Sequence, residues 1–272
     1  LNDASNWSPS GSPAAGDTLI LATAAGVDVV GGDYTAIGAL NEIRITRDFT
    51  DSFGSSAALV EVECPTITLD SGGTVYLDAE ASTRVAVLGS GVTDMLTLSG
   101  DVTELRVAAG SGTITIVQAT ETTTSSGYTE LTNLYMLGSA TATITLEASV
   151  SGLTTLTMDG GTIDLSCNCT TARSYGGTLN VKAASAITTA EVFGNGRIVD
   201  TGTGTITTLT LYGGSAEFSN NASDGVTVTN CAVNNGTLDL STSLQNITFT
   251  NDITVNGGTV LPPLGSTLGI TY

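Results

Sequence analysis

Gly160-Gly161-Thr162-Ile163-Asp164-Leu165, Gly176-Gly177-Thr178-Leu179-Asn180-Val181 and Asn235-Gly236-Thr237-Leu238-Asp239-Leu240 are three copies of one phrase: a glycine corner, then a short strand in which apolar and polar residues alternate. Looser copies are Gly194-Asn195-Gly196-Arg197-Ile198-Val199, Gly213-Gly214-Ser215-Ala216-Glu217-Phe218 and Gly257-Gly258-Thr259-Val260-Leu261. The last glycines fall at 161, 177, 196, 214, 236 and 258, so the steps are 16, 19, 18, 22 and 22 residues. A period of roughly 20 residues, built from strands and corners, specifies stacked rungs rather than a closed globular core.

The physical logic of one rung is simple. In Thr162-Ile163-Asp164-Leu165, Ile163 and Leu165 point to one side and Thr162 and Asp164 to the other. One rung cannot bury its own apolar side, so it stacks on the next at ~4.8 Å. Corners need a residue that tolerates positive φ, hence Gly or Asn. A second phrase precedes several corners, as in Leu153–Met158, Ile187–Val192, Ile206–Leu211 and Ile247–Thr250. The expected fold is all-β, a single right-handed parallel β-helix. About ten or eleven rungs are expected.

The expected organisation is a cap and docking segment over 1–58, the β-helix over 59–261 and a C-terminal cap or tail over 262–272. The first segment is less repetitive and carries Trp7, the single tryptophan, with Phe49 and Phe53 in an aromatic loop. A solenoid end exposes apolar core and unpaired backbone, so a cap or a partner must cover it. Large aromatics are favoured interface anchors. Trp7, Phe49 and Phe53 are therefore the candidate interface residues, with plugging of the coil end as the other reading. Thr120–Gly127 reads as a loop thrown out from one rung. Pro262-Pro263 cannot donate to a ladder, so the chain caps or leaves the coil there.

Charge narrows the partners. The 272 residues carry 26 acidic and 7 basic side chains and no histidine, a formal charge of -19. That composition has no basic footprint for nucleic acid and disfavours an anionic membrane surface. No apolar run approaches the ~20 residues of a membrane-spanning helix. No charged n-region with an apolar h-region opens the sequence, so a secretory signal is not expected in it. Cys64, Cys167, Cys169 and Cys231 fit no zinc spacing and are expected as buried thiols, with a bridge between neighbouring rungs as the other arrangement.

Chemistry finds little purchase. Without histidine, no Ser-His-Asp or Cys-His set exists. The residues that come nearest to a site are Asp164, Asp200 and Asp239, which lie on rung strands where register could align them on one face as in a β-helical glycoside hydrolase. The opposing reading is plain exposed strand positions in an acidic chain. Aromatics at 5% are few for a glycan platform. Six Thr-X-Thr triplets would face outward, as on ice-binding β-helices, but unequal rungs spoil the flat lattice. No catalytic residue, cofactor or metal site is expected, and an enzyme is not.

Asn6-Trp7-Ser8-Pro9 followed by Pro13–Leu21 resembles the opening of many β-helical surface and virion proteins. Ile45–Gly54 is similar to a "Phe-Thr-Gly-x-Ile-Gly" segment of a β-helix family found in tailed-phage genomes and some bacteria, with Asp51 in place of the Gly and Phe53 in place of the Ile. Residues 229–240 also resemble that family. The resemblance implies a virion structural protein on the outer capsid surface, a decoration or cement protein whose partners are the major capsid protein and itself, as a homotrimer. A tail fibre or spike, and a bacterial cell-surface adhesin, are the alternatives; a carbohydrate-active enzyme is a lesser one.

Overall fold

A computed structural model of the chain describes residues 11–22, 29, 31–90, 94–110, 112–117, 129–138, 140–182, 185–219, 225–242, 247–263 and 270–271. The fold is all-β: strand makes up 65% and helix 1%, and the strands pair in parallel as about ten turns of β-solenoid. The chain divides into two compact units, Leu1–Thr132 with Ser139–Thr143, and Asn133–Gly138 with Ile144–Tyr272.

In the first unit, Thr18–Leu21 pairs in parallel with Glu42–Ile45, which pairs with Thr66–Ser71. Val75–Ser90 and then Asp94–Val107 continue the stack. Register aligns Leu19, Ile43, Ile67, Val85 and Leu105 as one buried column. A second column runs Val29, Phe53, Val75, Leu96 and Ile114. Parallel pairing thus already includes residues 18–45, N-terminal of residue 59, where the sequence placed the first rung. Short rungs with long connections hide this in the sequence, because Thr18–Leu21 and Glu42–Ile45 are four residues each. The one short 3-10 turn among the described residues, Thr35–Ile37, lies in the connection between these two strands.

The second unit holds the clearest repeats. Thr155–Leu165, Cys169–Val181, Ala186–Val192 with Arg197–Asp200, Thr205–Phe218 and Thr227–Asp239 stack in order. Its buried columns include Leu134–Leu156–Ala172–Ala190–Leu209 and Ile163–Leu179–Ile198–Ala216–Leu238. Each buried leucine or isoleucine contributes ~1.5–3 kcal/mol of burial, so a column is the energetic unit of the solenoid. Corners stack glycine on glycine. Gly177 has φ 75°, and a Cβ there would sit 2.5 Å from the Gly160 and Gly161 carbonyl oxygens. Only glycine meets both demands.

All four cysteines are free thiols in the interior. After Pro262-Pro263 the chain returns: Ile270–Thr271 pairs in parallel with Ile253–Thr254. The expected Thr120–Gly127 loop lies outside the described residues.

Candidate interaction surface

The outward side chains of the solenoid hold one another. Every one of the seven basic residues is in an ion pair: Arg44 with Glu42, Arg47 with Asp70, Arg84 and Arg106 with Glu104, Arg173 with Glu191, Lys182 with Asp164, and Arg197 with Glu217. Several of these bridge adjacent rungs, as Arg173 and Glu191 do at 2.7 Å. At surface exposure each pair stabilises the fold by only ~0–1 kcal/mol. Their larger effect is on recognition. The acidic excess stays on the surface while the positive charge is engaged within the chain.

Register separates the three aspartates that the sequence grouped. Asp164 and Asp239 share one outward column with Asn180, Val199 and Glu217. Asp164 accepts from Asn180 Nδ2 and Lys182 Nζ, each at 2.7 Å. Asp239 caps its own turn, accepting from the Ser241 N–H at 2.9 Å and hydroxyl at 2.6 Å. Asp200 is on the other side of the strand. It aligns with Val181 and Phe218 in a core column and is 1% exposed. The alignment of all three on one face is therefore corrected: in Arg197-Ile198-Val199-Asp200 the inward Ile198 puts Asp200 inward too. Asp200 Oδ1 accepts from the Gly202 N–H at 2.9 Å, while Oδ2 has no hydrogen-bond partner among the described residues. Burial pushes its carboxyl up to about 6, against the partial relief of that hydrogen bond.

The thiols are chemically quiet. Burial pushes Cys167, Cys169 and Cys231 up to about 12, and raises Cys64 as well. The thiolate is the reactive form, so at neutral pH these sulfurs act as apolar filling.

The threonine triplets lie on the outward side. Thr155, Thr171, Thr189 and Thr208 form one ladder. The parallel column beside it reads Thr157, Arg173, Glu191 and Thr210. An ion pair thus interrupts the second row, and no flat two-row threonine lattice forms there. In the first unit, Arg44, Ile45, Thr46, Thr68, Asp70 and Leu88 line a shallow depression of about 340 Å3. Its two charged residues already serve the Arg44–Glu42 and Arg47–Asp70 pairs.

Of the candidate interface aromatics, Trp7 lies outside the described residues. Phe49 and Phe53 are 4% and 0% exposed. Phe53 stands between Val29 and Val75 in the core column of the first unit. Its neighbour Gly54, with φ 79°, packs so closely that a Cβ would meet the Tyr76 carbonyl oxygen at 2.7 Å. Both phenylalanines are buried in the coil interior of the first unit.

The exposed aromatics are elsewhere. Tyr175, Phe193 and Tyr212 stack on the outer corner of three successive rungs, with ring centroids 4.7 and 4.9 Å apart and planes 11° from parallel. Tyr175 and Tyr212 are 42% and 47% exposed. On one side the next residues are Asp159 and then Leu137, which follow the aligned Met158 and Met136; the register shifts by one after Met158, so that Asp159 pairs with Gly176, the residue after Tyr175. On the other side the corner continues as Asn234 and Asn256, whose amides are bonded at 2.7 Å. The signal was present in the sequence, since Tyr175, Phe193 and Tyr212 each stand directly before a corner glycine. A low aromatic total conceals it, because three rings in one column matter more than their share of the chain.

No family model, curated protein or solved structure matches the chain. The class is defined by the fold: a parallel β-solenoid with an acidic, internally paired outer face.

Proposed function

We propose that the chain is a non-enzymatic structural protein that binds and stabilises the outer surface of a phage head as a decoration protein, with the major capsid protein as partner and three copies associating as a homotrimer. The observation that carries the structural part is the state of the outward carboxylates. Asp164 is held by Lys182 and Asn180, Asp239 by its own turn, and Asp200 is turned inward. Carboxylates committed in this way are scaffold, since an acid and base pair must converge on one substrate bond. The virion setting comes from the family resemblance of residues 6–21, 45–54 and 229–240. Backbone ladders running rung to rung suit a load-bearing coat component, and closed cyclic symmetry is the usual outcome of self-association. Nucleic acid and anionic membranes are outside this reading, because the phosphate-binding cations are already paired within the chain.

Burial of Phe49 and Phe53 moves the docking face in this reading. The exposed anchors are now Tyr175 and Tyr212 on the solenoid corner. The test is co-sedimentation of the purified chain with undecorated heads, followed by heating of the complex. Saturable binding with a raised disruption temperature is expected. Heads that pellet bare and melt unchanged would overturn the proposal.

A further inference from the structure

The aromatic corner ends in a notch. Asp159 lies between two glycines: its Oδ2 is 2.8 Å from where a Cβ of Gly138 would stand, and its Oδ1 is 3.2 Å from where a Cβ of Gly176 would stand. The absence of both side chains leaves the carboxylate open at the corner. Tyr175 stands on one side, one face stacked on Phe193, and the residue after it, Gly176, is the strand partner of Asp159. Leu137, 41% exposed, stands one rung further on. A short side chain between two long ones leaves a slot about two rungs, ~10 Å, wide. Its floor is an anion, one wall is an aromatic face and the other is aliphatic.

We infer that this notch binds the guanidinium of an arginine side chain supplied by a partner protein. A guanidinium is flat, so it extends the Tyr175–Phe193–Tyr212 stack as a fourth layer, with cation–π attraction to the ring. In the same pose it makes a two-pronged hydrogen bond to Asp159. Among the described residues Asp159 makes no ion pair, whereas all seven basic residues of the chain are engaged with other carboxylates. A second copy of this chain therefore has no unpaired cation to offer, and the occupant is a different protein. The net charge of -19 draws such a partner in. The inference does not rest on the virion reading: it concerns the chemistry of the corner, whichever assembly supplies the arginine.

The probe is the capped tripeptide acetyl-Gly-Arg-Gly-amide, titrated into the labelled full chain and followed by amide NMR shifts. Lysine and citrulline analogues run alongside. Saturable shifts are expected at Gly138, Asp159, Tyr175 and Gly176, with both analogues binding about tenfold more weakly. Asp159→Asn should weaken the arginine peptide by a similar factor and leave the remaining spectrum in place. Asp239→Asn, an acidic-surface control on another corner, should leave binding unchanged. Shifts spread over the acidic surface, equal binding of the lysine peptide, or an Asp159→Asn chain that binds as well as its parent would each overturn the assignment. Lost head binding with intact peptide binding would instead count against the virion reading alone.

Discussion

Asp200→Asn should stabilise the protein at pH 7. The carboxyl sits in a core column between Val181 and Phe218, 1% exposed, with one oxygen bonded to the Gly202 N–H and the other without a partner among the described residues. Burial lifts it from an ordinary value of 3.8 to about 6, so the native state holds this proton more tightly than the unfolded chain. Stability from this group is fully present below pH 3.8, falls as pH rises, and is gone above about 6. The difference corresponds to about 3 kcal/mol of strain at pH 7. Asparagine keeps an acceptor for Gly202 but leaves an amide N–H₂ unpaired, which costs ~1 kcal/mol. The expected net gain is ~2 kcal/mol at pH 7, vanishing or reversing by pH 4. Urea unfolding of both chains across that range measures it, and the difference between them cancels the general effect of protonating the acidic surface. A variant no more stable than its parent at pH 7, or a gain that persists undiminished at pH 4, would refute the reasoning.

Phe53→Ala should cost ~3–5 kcal/mol in urea unfolding, as for a full core aromatic; a loss under ~1 kcal/mol would show that Phe53 is not part of the interior column. Gly177→Ala should cost more than Gly152→Ala in the same assay, because both have positive φ but only Gly177 faces carbonyl oxygens, whereas nothing lies within 4 Å of a Cβ at Gly152. Equal losses would mean that backbone conformation alone decides. Phe193→Ala removes two ring stacks and Tyr212→Ala one, so Phe193 should matter more by ~0.5–1.5 kcal/mol. A thiol reagent at pH 8 should label none of the four cysteines of the native protein and all four in urea, and rapid native labelling would contradict their burial.

Much of this was legible in the alternation. Ile163, Leu179 and Leu238 identify the inward side of their rungs without coordinates, and the corner glycines fix the register from one rung to the next. Asp200 was legible too, because Ile198 two residues earlier must face inward. Grouping it with Asp164 and Asp239 compared residue types rather than their phase within the rung. The early rungs were harder to see. Thr18–Leu21 and Glu42–Ile45 are short strands with long irregular connections, and their partnership exists only through stacking. Phe53 was read as a loop aromatic for the same reason: a single bridged residue in the core column has no alternating neighbours to announce it. The aromatic corner needed the register as well, since Tyr175, Phe193 and Tyr212 are 18 and 19 residues apart and become neighbours only when rungs of unequal length are superposed.

The proposed attachment of this solenoid to a head surface as a trimer is tested most directly by electron cryomicroscopy of undecorated heads incubated with excess chain. Added density in sets of three copies at three-fold or quasi-three-fold positions on the outer surface is the expected result. Heads that stay bare at saturating chain, or density confined to the tail, would contradict it.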